Sequence, residues 1–306
     1  MKFIEKVFNK IFKKNFEKKI FMIGCSHFSL MRNNYYKVKN ISEVEYKIFS
    51  QNGEDGIIDY LLFCLDIKKP KFVEIGVGDY SESNTRFLFE RLGCKGLIVD
   101  CIQDLNKKVS QNVKLWKGDL TVLETYINSK NIIKILFDNK FDKNLDLFSL
   151  DIDGIDYWII KQLPKNFAKI AIIEFNANFG PDLEVTVPDS NIFDRSKYHY
   201  SHLCFGASIK AIIKLMMKKN FVFLGTNLLC CNAFFVSKEF FSKINLPLPD
   251  INNLSENTNS LIRESRSTSG NLNYISGDKR FKEIEDCEVI DLSDDKNNLI
   301  KLKYLT

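Results

Sequence analysis

From residue 71 onward, short runs rich in β-branched and aromatic residues alternate with stretches of helical length. These runs lie at residues 72–75, 96–99, 113–116, 147–150 and 170–173. Continuous apolar runs of this length are typical of strands buried on both faces of a sheet, and the intervening segments are long enough for crossover helices. The pattern predicts right-handed β-α-β units and a mostly parallel sheet with helices on both faces, an α/β fold.

Further elements follow from the same pattern. Residues 221–224 and 232–236 predict an antiparallel hairpin at the edge of the sheet, and the apolar run at 132–137 is compatible with a strand or with a buried helix end. Helices are predicted over 84–92, 154–163 and 206–219. The stretch at 176–205 is long for a loop in a compact domain, which is typical of a functional lid.

The first residues follow a helical period. Apolar residues occupy positions 3, 4, 7, 8, 11, 12, 16 and 20, and Lys fills many of the others. This predicts a basic amphipathic helix over 1–23, followed by a connector over 24–48. Two roles are open for the helix: residues 1–21 lie on an anionic membrane surface, or their apolar side packs on this protein or a partner subunit.

Charge and composition narrow the class of protein. The chain has 306 residues and a net charge of +5, and residues 1–19, with seven Lys and two Glu, account for the whole excess. The rest of the chain has no net charge, and a neutral protein is a poor candidate for nucleic-acid binding.

Because there is no secretory signal or apolar span of about 18 residues, we expect a cytoplasmic protein. The eight Cys lack zinc-site spacing and are expected to be free thiols. Residues 49–245 form the predicted α/β domain and 246–306 an appended polar region.

Polar residues stand at the predicted strand ends, where ligands bind in open α/β sheets. Gly76 and Gly78 follow the first strand, and Asp100 ends the second, where a carboxylate can accept both ribose hydroxyls. A dinucleotide fingerprint would need a third Gly near position 81, which is Ser. The surrounding carboxylates would repel a pyrophosphate and suit a cationic cofactor. The pattern therefore favours S-adenosylmethionine over NAD.

Several motifs in order resemble the FkbM-type branch of the class I S-adenosylmethionine-dependent methyltransferases. The matching segments are FSQNGEDG at 49–56, FVEIGVGD at 72–79, NT at 84–85, GLIVD at 96–100, LDIDGID at 150–156, IEFN at 173–176, GAS at 206–208 and NAFF at 232–235. The resemblance implies a seven-stranded, Rossmann-like sheet and O-methylation, often of a saccharide or natural product. Similar sequences have a Trp-Asp-Gly element before the GAS motif, whereas this chain has YHYSH at 198–202.

The resemblance also implies site residues. Glu74, Gly76 and Gly78 would hold the methionine and ribose portions of the cofactor. Asp100 would bind the ribose hydroxyls, and Asp119 would meet the adenine amino group, unless it is a helix N-cap. Asp151 is also expected to bind the cofactor. Glu54 and Asn84 are further motif residues of the expected site.

The acceptor side has candidates for metal binding and for a base. Asp153, Glu174 and Asn176 are the candidate ligands of a Mg²⁺ ion, with Asp151 beside them. Alternatively, Asp151 or Asp153 caps the helix at 154–163 and Glu174 orients the acceptor. His202, then His199 or Asp153, are candidates for the base that O-methylation needs, although a loop His is often an exposed bystander.

We therefore expect a methyltransferase that acts on a saccharide or other small-molecule hydroxyl. The sequence leaves open whether the chain forms a homo-oligomer. Two other classes remain alternatives: a non-catalytic, membrane-associated nucleoside-binding module of the same fold, and an NAD-dependent oxidoreductase.

Overall fold

The computed structural model describes residues 2–294 and 296–305, with side chains described for residue 12 and from residue 15 onward within those ranges. The helices are α1 Lys2–Met31, α2 Glu54–Cys64, α3 Arg86–Leu92, α4 Leu105–Asn112, α5 Ile132–Asp138, α6 Asp156–Gln162, α7 Arg195–Tyr198, α8 Ile209–Lys218, α9 Ser255–Thr258 and α10 Asp278–Ile284. Short 3₁₀ helices lie at Arg32–Lys37, Ile41–Val44, Leu115–Lys117, Ala177–Phe179, Lys238–Lys243 and Leu302–Tyr304.

Within the described residues, ten strands form two sheets. The strands are β1 Lys71–Ile75, β2 Lys95–Asp100, β3 Asp119–Glu124, β4 Leu147–Leu150, β5 Ile170–Glu174, β6 Val185–Thr186, β7 Phe221–Thr226, β8 Asn232–Ser237, β9 Glu288–Asp291 and β10 Leu299–Lys301. The large sheet has seven strands in the order β3-β2-β1-β4-β5-β8-β7, in which β8 is antiparallel to both neighbours. This confirms the predicted class I methyltransferase-like fold with an antiparallel hairpin at its edge.

Two apolar layers cover the two faces of this sheet. Because successive strand residues point to opposite faces, Val73 and Ile75 join one layer while Phe72 joins the other. Strand β1 is buried after its first residue. Because β1 pairs in parallel with both β2 and β4, the carboxyl ends of the three strands lie at the same edge of the sheet, where the site lies.

The third predicted strand was misplaced. Residues 113–116 form the end of a turn and the start of a 3₁₀ helix, and β3 begins at Asp119. Strand β3 lies at the edge of the sheet, and its side chains are half-buried or exposed. Its sequence, DLTVLE, is therefore less apolar than the sequence of a central strand. The ambiguous run at 132–137 belongs to a helix, α5.

The region after residue 245 packs on the same core. Leu254, Ile284, Val289 and Leu302 are buried within the layer that covers Val73. Strand β9 also pairs with β6, which lies in the long segment between β5 and α8. The appended region and the predicted lid are thus connected through a second, three-stranded sheet.

The first helix continues past the predicted boundary at residue 23, and the predicted connector over 24–48 begins with its last turns and contains two 3₁₀ helices. The apolar positions predicted between residues 3 and 11 lie outside the described side chains. Within the described residues, no helix combines the length and the hydropathy that a bilayer span requires. All eight Cys are free thiols.

Candidate active site

The turn after β1 brings the backbone against the end of β4. Gly76 has a φ of +86°, and a Cβ atom there would lie 1.5 Å from the carbonyl oxygen of Asp151. The Gly76 N–H donates to the carbonyl of Val99. Only Gly fits this position, because any side chain would collide with backbone that cannot move away.

Gly78 and Asp100 form the next part of the site. The Gly78 N–H donates to Asp100 Oδ2 at 2.8 Å, and the Ile102 N–H donates to Asp100 Oδ1 at 3.0 Å. A carboxylate oxygen can accept more than one hydrogen bond, so Asp100 retains acceptor capacity on both oxygens. A Cβ atom on Gly78 would meet nothing within 4 Å, so this turn borders open space.

Glu74 supports the loop that follows this turn. Its carboxylate accepts the N–H groups of Asn84 at 2.8 Å and Thr85 at 3.0 Å, and the Thr85 hydroxyl at 2.5 Å. Asn84 donates its side-chain amide to the Ser149 hydroxyl at 3.0 Å. Burial raises the pKa of Glu74 to about 7. Glu74 and Asn84 therefore hold the shape of the cavity wall.

A cavity of about 740 Å³ lies over the carboxyl ends of β1, β2 and β4. Predicted site residues border it, namely Glu74, Gly76, Gly78, Asn84, Asp100, Asp151 and Asp153. Its other wall contains residues that sequence reasoning missed, among them Thr125, Tyr126, Ile127, Phe193, Arg195 and Lys197. The residues after β3 were missed because that strand was misplaced. The Tyr126 hydroxyl donates to the carbonyl of Phe193, which joins this wall to the long loop.

Asp119 does not reach this cavity. It pairs in register with Lys95 at the start of β2, and its carboxylate forms an ion pair with Lys95 Nζ at 2.8 Å on the protein surface. Because the strands are parallel, the start of β3 lies at the edge of the sheet opposite the carboxyl ends. The predicted contact of Asp119 with an adenine group is therefore wrong, and it is also not a helix N-cap, since it begins a strand.

Three acidic side chains meet at the ends of β4 and β5. One carboxylate oxygen each of Asp151, Asp153 and Glu174 lies within 4.8 Å of the others. Burial raises the pKa values of Asp151 and Glu174 well above their usual range, and the neighbouring carboxylates raise them further. The two groups are hydrogen-bonded to each other, so their titrations are linked.

The turn between β4 and α6 orients this cluster. Asp156 accepts the N–H groups of Ile152 and Gly154, both at 3.1 Å, and so holds the turn. Asp153 has a φ of +52°, and its N–H donates to Glu174 at 3.1 Å. Arg195 of α7 forms an ion pair with Asp153 at 2.5 Å. Asp151 and Asp153 border the cavity, and neither caps α6, because Ile155 is its N-cap residue and no side chain makes a capping bond there.

A second cavity of about 220 Å³ adjoins the first, and Asp151, Asp153 and Arg195 border both. Glu174 and His202 also line the second cavity, which brings His202 to the acidic cluster. Sequence reasoning missed its remaining wall, because Glu264 and Arg280 come from the region that was expected to lie outside the domain.

His199 and Asn176 have other partners. The Nδ1 atom of His199 lies 2.7 Å from the Ser201 hydroxyl, burial lowers the pKa of its imidazole, and the residue borders neither cavity. The Asn176 oxygen accepts the N–H of Asn178 at 3.0 Å, and its amide donates to the carbonyls of Leu203 and Phe205. Asn176 thus holds the long loop.

Glu54 fixes the hairpin beside the site. Its Oε1 accepts the side-chain amides of Asn227 and Asn232, each at 2.9 Å. Asn232 borders the larger cavity, and among the described side chains its Oδ1 is a buried acceptor without a hydrogen-bond partner. A ligand with N–H or O–H donors would suit this atom.

Comparisons with known proteins add little beyond this geometry. No protein-family model matches the chain, and no curated protein matches its sequence. One similar solved structure is the pyocyanin biosynthetic protein PhzM, with 13% identity over 56% of this chain and 51% of that chain, at a TM-score of 0.34. Another is a protein assigned as a sarcosine dimethylglycine methyltransferase from Galdieria sulphuraria, with 12% identity over 62% of this chain and 72% of that chain, at a TM-score of 0.35. The match spans about half the length of PhzM.

Proposed function

We propose that this chain is an S-adenosylmethionine-dependent methyltransferase of the FkbM-type branch that methylates a hydroxyl of a saccharide or another small molecule. One observation carries the proposal. A cavity at the carboxyl ends of the parallel strands joins the Gly76–Gly78 turn and Asp100 to Asp151 and Asp153, and the adjoining second cavity adds Glu174 to the same acidic cluster. A cofactor site and a proton-accepting site are thus adjacent.

The cavity suits this cofactor in charge and in hydrogen bonding. Asp100 has free acceptor capacity on both carboxylate oxygens for a ribose diol, and Asn232 Oδ1 lacks a donor. Acidic residues outnumber basic ones around the cavity, which favours a group bearing a sulfonium and an amino group. When bound, S-adenosylmethionine supplies an activated methyl group to an acceptor oxygen.

The acidic cluster is suited to remove the proton of the acceptor hydroxyl. A neutral hydroxyl is a poor nucleophile, and a carboxylate with a raised pKa is a stronger base than an ordinary one. The Asp151–Glu174 pair and Asp153 border the cavity where the acceptor would lie, and His202 adjoins them. We assign the base to this cluster, with His202 as an adjacent proton carrier, and leave His199 out because it borders neither cavity.

The same three carboxylates are the candidate ligands of a Mg²⁺ ion. Their oxygens lie close enough together to surround one hard cation, which would also neutralise their mutual repulsion. Asn176 no longer belongs to the set, because its amide holds the long loop.

The alternative classes have less support. An NAD-dependent oxidoreductase would place a pyrophosphate against the turn that carries Asp79 and Glu82, which border the cavity together with Glu74. A non-catalytic module would have no use for buried carboxylates of raised pKa beside the cofactor cavity, because burying them costs stability.

Binding of S-adenosylhomocysteine tests the proposal with an internal control. Asp100→Asn should weaken binding at least about tenfold, since a hydrogen bond to a charged group is worth about 1.5–3 kcal/mol. Asp119→Asn removes an equal charge at the opposite edge of the sheet and should leave the affinity unchanged. Isothermal titration of both variants, with circular dichroism to confirm folding, measures the difference. Wild-type protein that binds NAD but not S-adenosylhomocysteine would refute the proposed cofactor.

A further inference from the structure

The second half of α1 is fixed to the protein body. Phe28 is buried and stacks on Phe87 of α3 with ring centroids 5.1 Å apart, while Phe21 contacts the same ring edge-on. Gly24 approaches Ile48 so closely that a Cβ atom would lie 2.4 Å from it. Glu17 forms an ion pair with Arg86 at 3.0 Å. These contacts hold one face of the helix against the body and set the orientation of the other.

The opposite face carries an apolar stripe. Phe12, Phe16, Ile23 and Leu30 are 64%, 55%, 58% and 68% exposed, and they are spaced by four and seven residues, so they lie along one side of the helix. Phe12 and Phe16 are among the apolar positions predicted from the sequence, Ile23 is the last residue of the predicted helix, and Leu30 extends the stripe beyond it. Scattered exposed apolar residues are ordinary, but four aligned on one rigid helix are typical of a binding surface.

The charge of the same segment indicates what covers this stripe. The seven Lys and two Glu of residues 1–19 account for the net charge of the whole chain, and Lys18 and Lys19 are exposed on the same helix. Two copies of the chain that joined stripe to stripe would bring two segments of this charge together, which is unfavourable. An anionic surface is complementary both to the Lys residues and to the apolar side chains.

We propose that the stripe of Phe12, Phe16, Ile23 and Leu30 inserts into the interface of an anionic lipid membrane, to which the basic charge of residues 1–19 attracts the helix. Helices of this kind lie parallel to the surface with their apolar side chains at the boundary of the acyl chains. The proposal is independent of the chemistry of the active site. In this arrangement α1, which is docked on the catalytic body, holds that body at the membrane surface.

Vesicle sedimentation of the full-length chain tests the role of the stripe. Phe16→Ser/Ile23→Ser should lower binding to vesicles of phosphatidylcholine with about a third phosphatidylglycerol by at least about tenfold. The matched control is Ile133→Ser/Phe137→Ser, which changes one Ile and one Phe that are 46% and 66% exposed on α5. Equal binding by both double variants and wild type would overturn the proposal, and so would failure of the wild type to bind these vesicles.

The charge is tested separately. Lys18→Gln/Lys19→Gln should weaken binding to the anionic vesicles and reduce its salt dependence, because each Lys near such a surface contributes attraction that salt screens. Lys68→Gln/Lys69→Gln removes two adjacent exposed Lys elsewhere and should have no effect on vesicle binding.

Light scattering of the wild type and of the variants measures their oligomeric state. A wild-type dimer that Phe16→Ser/Ile23→Ser converts to a monomer would identify a second copy as the occupant and refute the membrane role.

Discussion

At the scale of single residues, position in the sheet decides what a side chain can do. Asp100 and Asp119 both follow glycine-containing or apolar segments and both resemble cofactor ligands in the sequence. Asp100 ends β2 and borders the cavity, whereas Asp119 begins β3 and binds Lys95 at the other edge. The sequence placed Asp100 at the carboxyl end of β2, where the structure has it, because this residue follows a clearly apolar strand. Asp119 was misassigned because a weakly apolar edge strand was placed several residues too early.

Gly76 offers a sharp test at this scale. Gly76→Ala should reduce the free energy of unfolding by about 3 kcal/mol or more, because the new methyl group would collide with the Asp151 carbonyl in a left-handed backbone. Gly270→Ala has a similar φ of +81° but open space around the added Cβ, so it should cost only about 1–2 kcal/mol. Urea unfolding of the two variants gives the comparison. Equal losses would mean that the contact with Asp151 is unimportant.

At the scale of elements, specific contacts hold the long segment between β5 and α8 in place. Asn176 holds its beginning and end together, β6 pairs with β9, and α7 brings Arg195 to Asp153. The sequence predicted a functional loop from its length alone. Its path could not be predicted, because the anchors are polar contacts between residues distant in the chain and leave no periodic pattern.

Ser208 joins this segment to α8. Its buried hydroxyl accepts the Ala211 N–H at 3.3 Å as an N-cap and the Val185 N–H of β6 at 3.1 Å. Ser208→Ala should therefore destabilise the protein by about 1–3 kcal/mol, since two N–H groups lose their acceptor. Asn40→Ala removes an exposed cap that accepts only from Ser42 and should cost about 1 kcal/mol or less. Thermal unfolding should rank the two variants in this order. The reverse order would argue against Ser208 as an anchor.

At the scale of the whole molecule, the protein buries several carboxyl groups. Glu74, Asp55 and Asp156 are buried within the domain, and burial raises their pKa values to about 7, about 6 and about 6. The Asp151–Glu174 pair adds to this group. Each carboxyl binds its proton more tightly in the folded state than in the unfolded chain, whose carboxyl pKa values are near 4.

The sign of the resulting pH dependence follows from linkage. Stability from these groups is fully present below about pH 4 and is lost as the pH rises through their folded pKa values of about 6 to about 7. The free energy of unfolding should therefore fall between about pH 5 and about pH 7.5. Urea titrations at constant ionic strength measure this slope. Asp156→Asn should flatten it, whereas Asp119→Asn should not, and a free energy that rises with pH would contradict the assignment.

The sequence by itself determined the fold class, the central strands, the glycine turn and the acids at the strand ends. These depend on local patterns, namely buried apolar runs and backbone conformations that only Gly adopts without strain. Only the tertiary structure decided which of those acids meet, and that Glu264 and Arg280 complete the second cavity. It also separated the docked face of α1 from its exposed stripe. Such features arise when distant segments pack together, and helical or strand periodicity does not encode their neighbours.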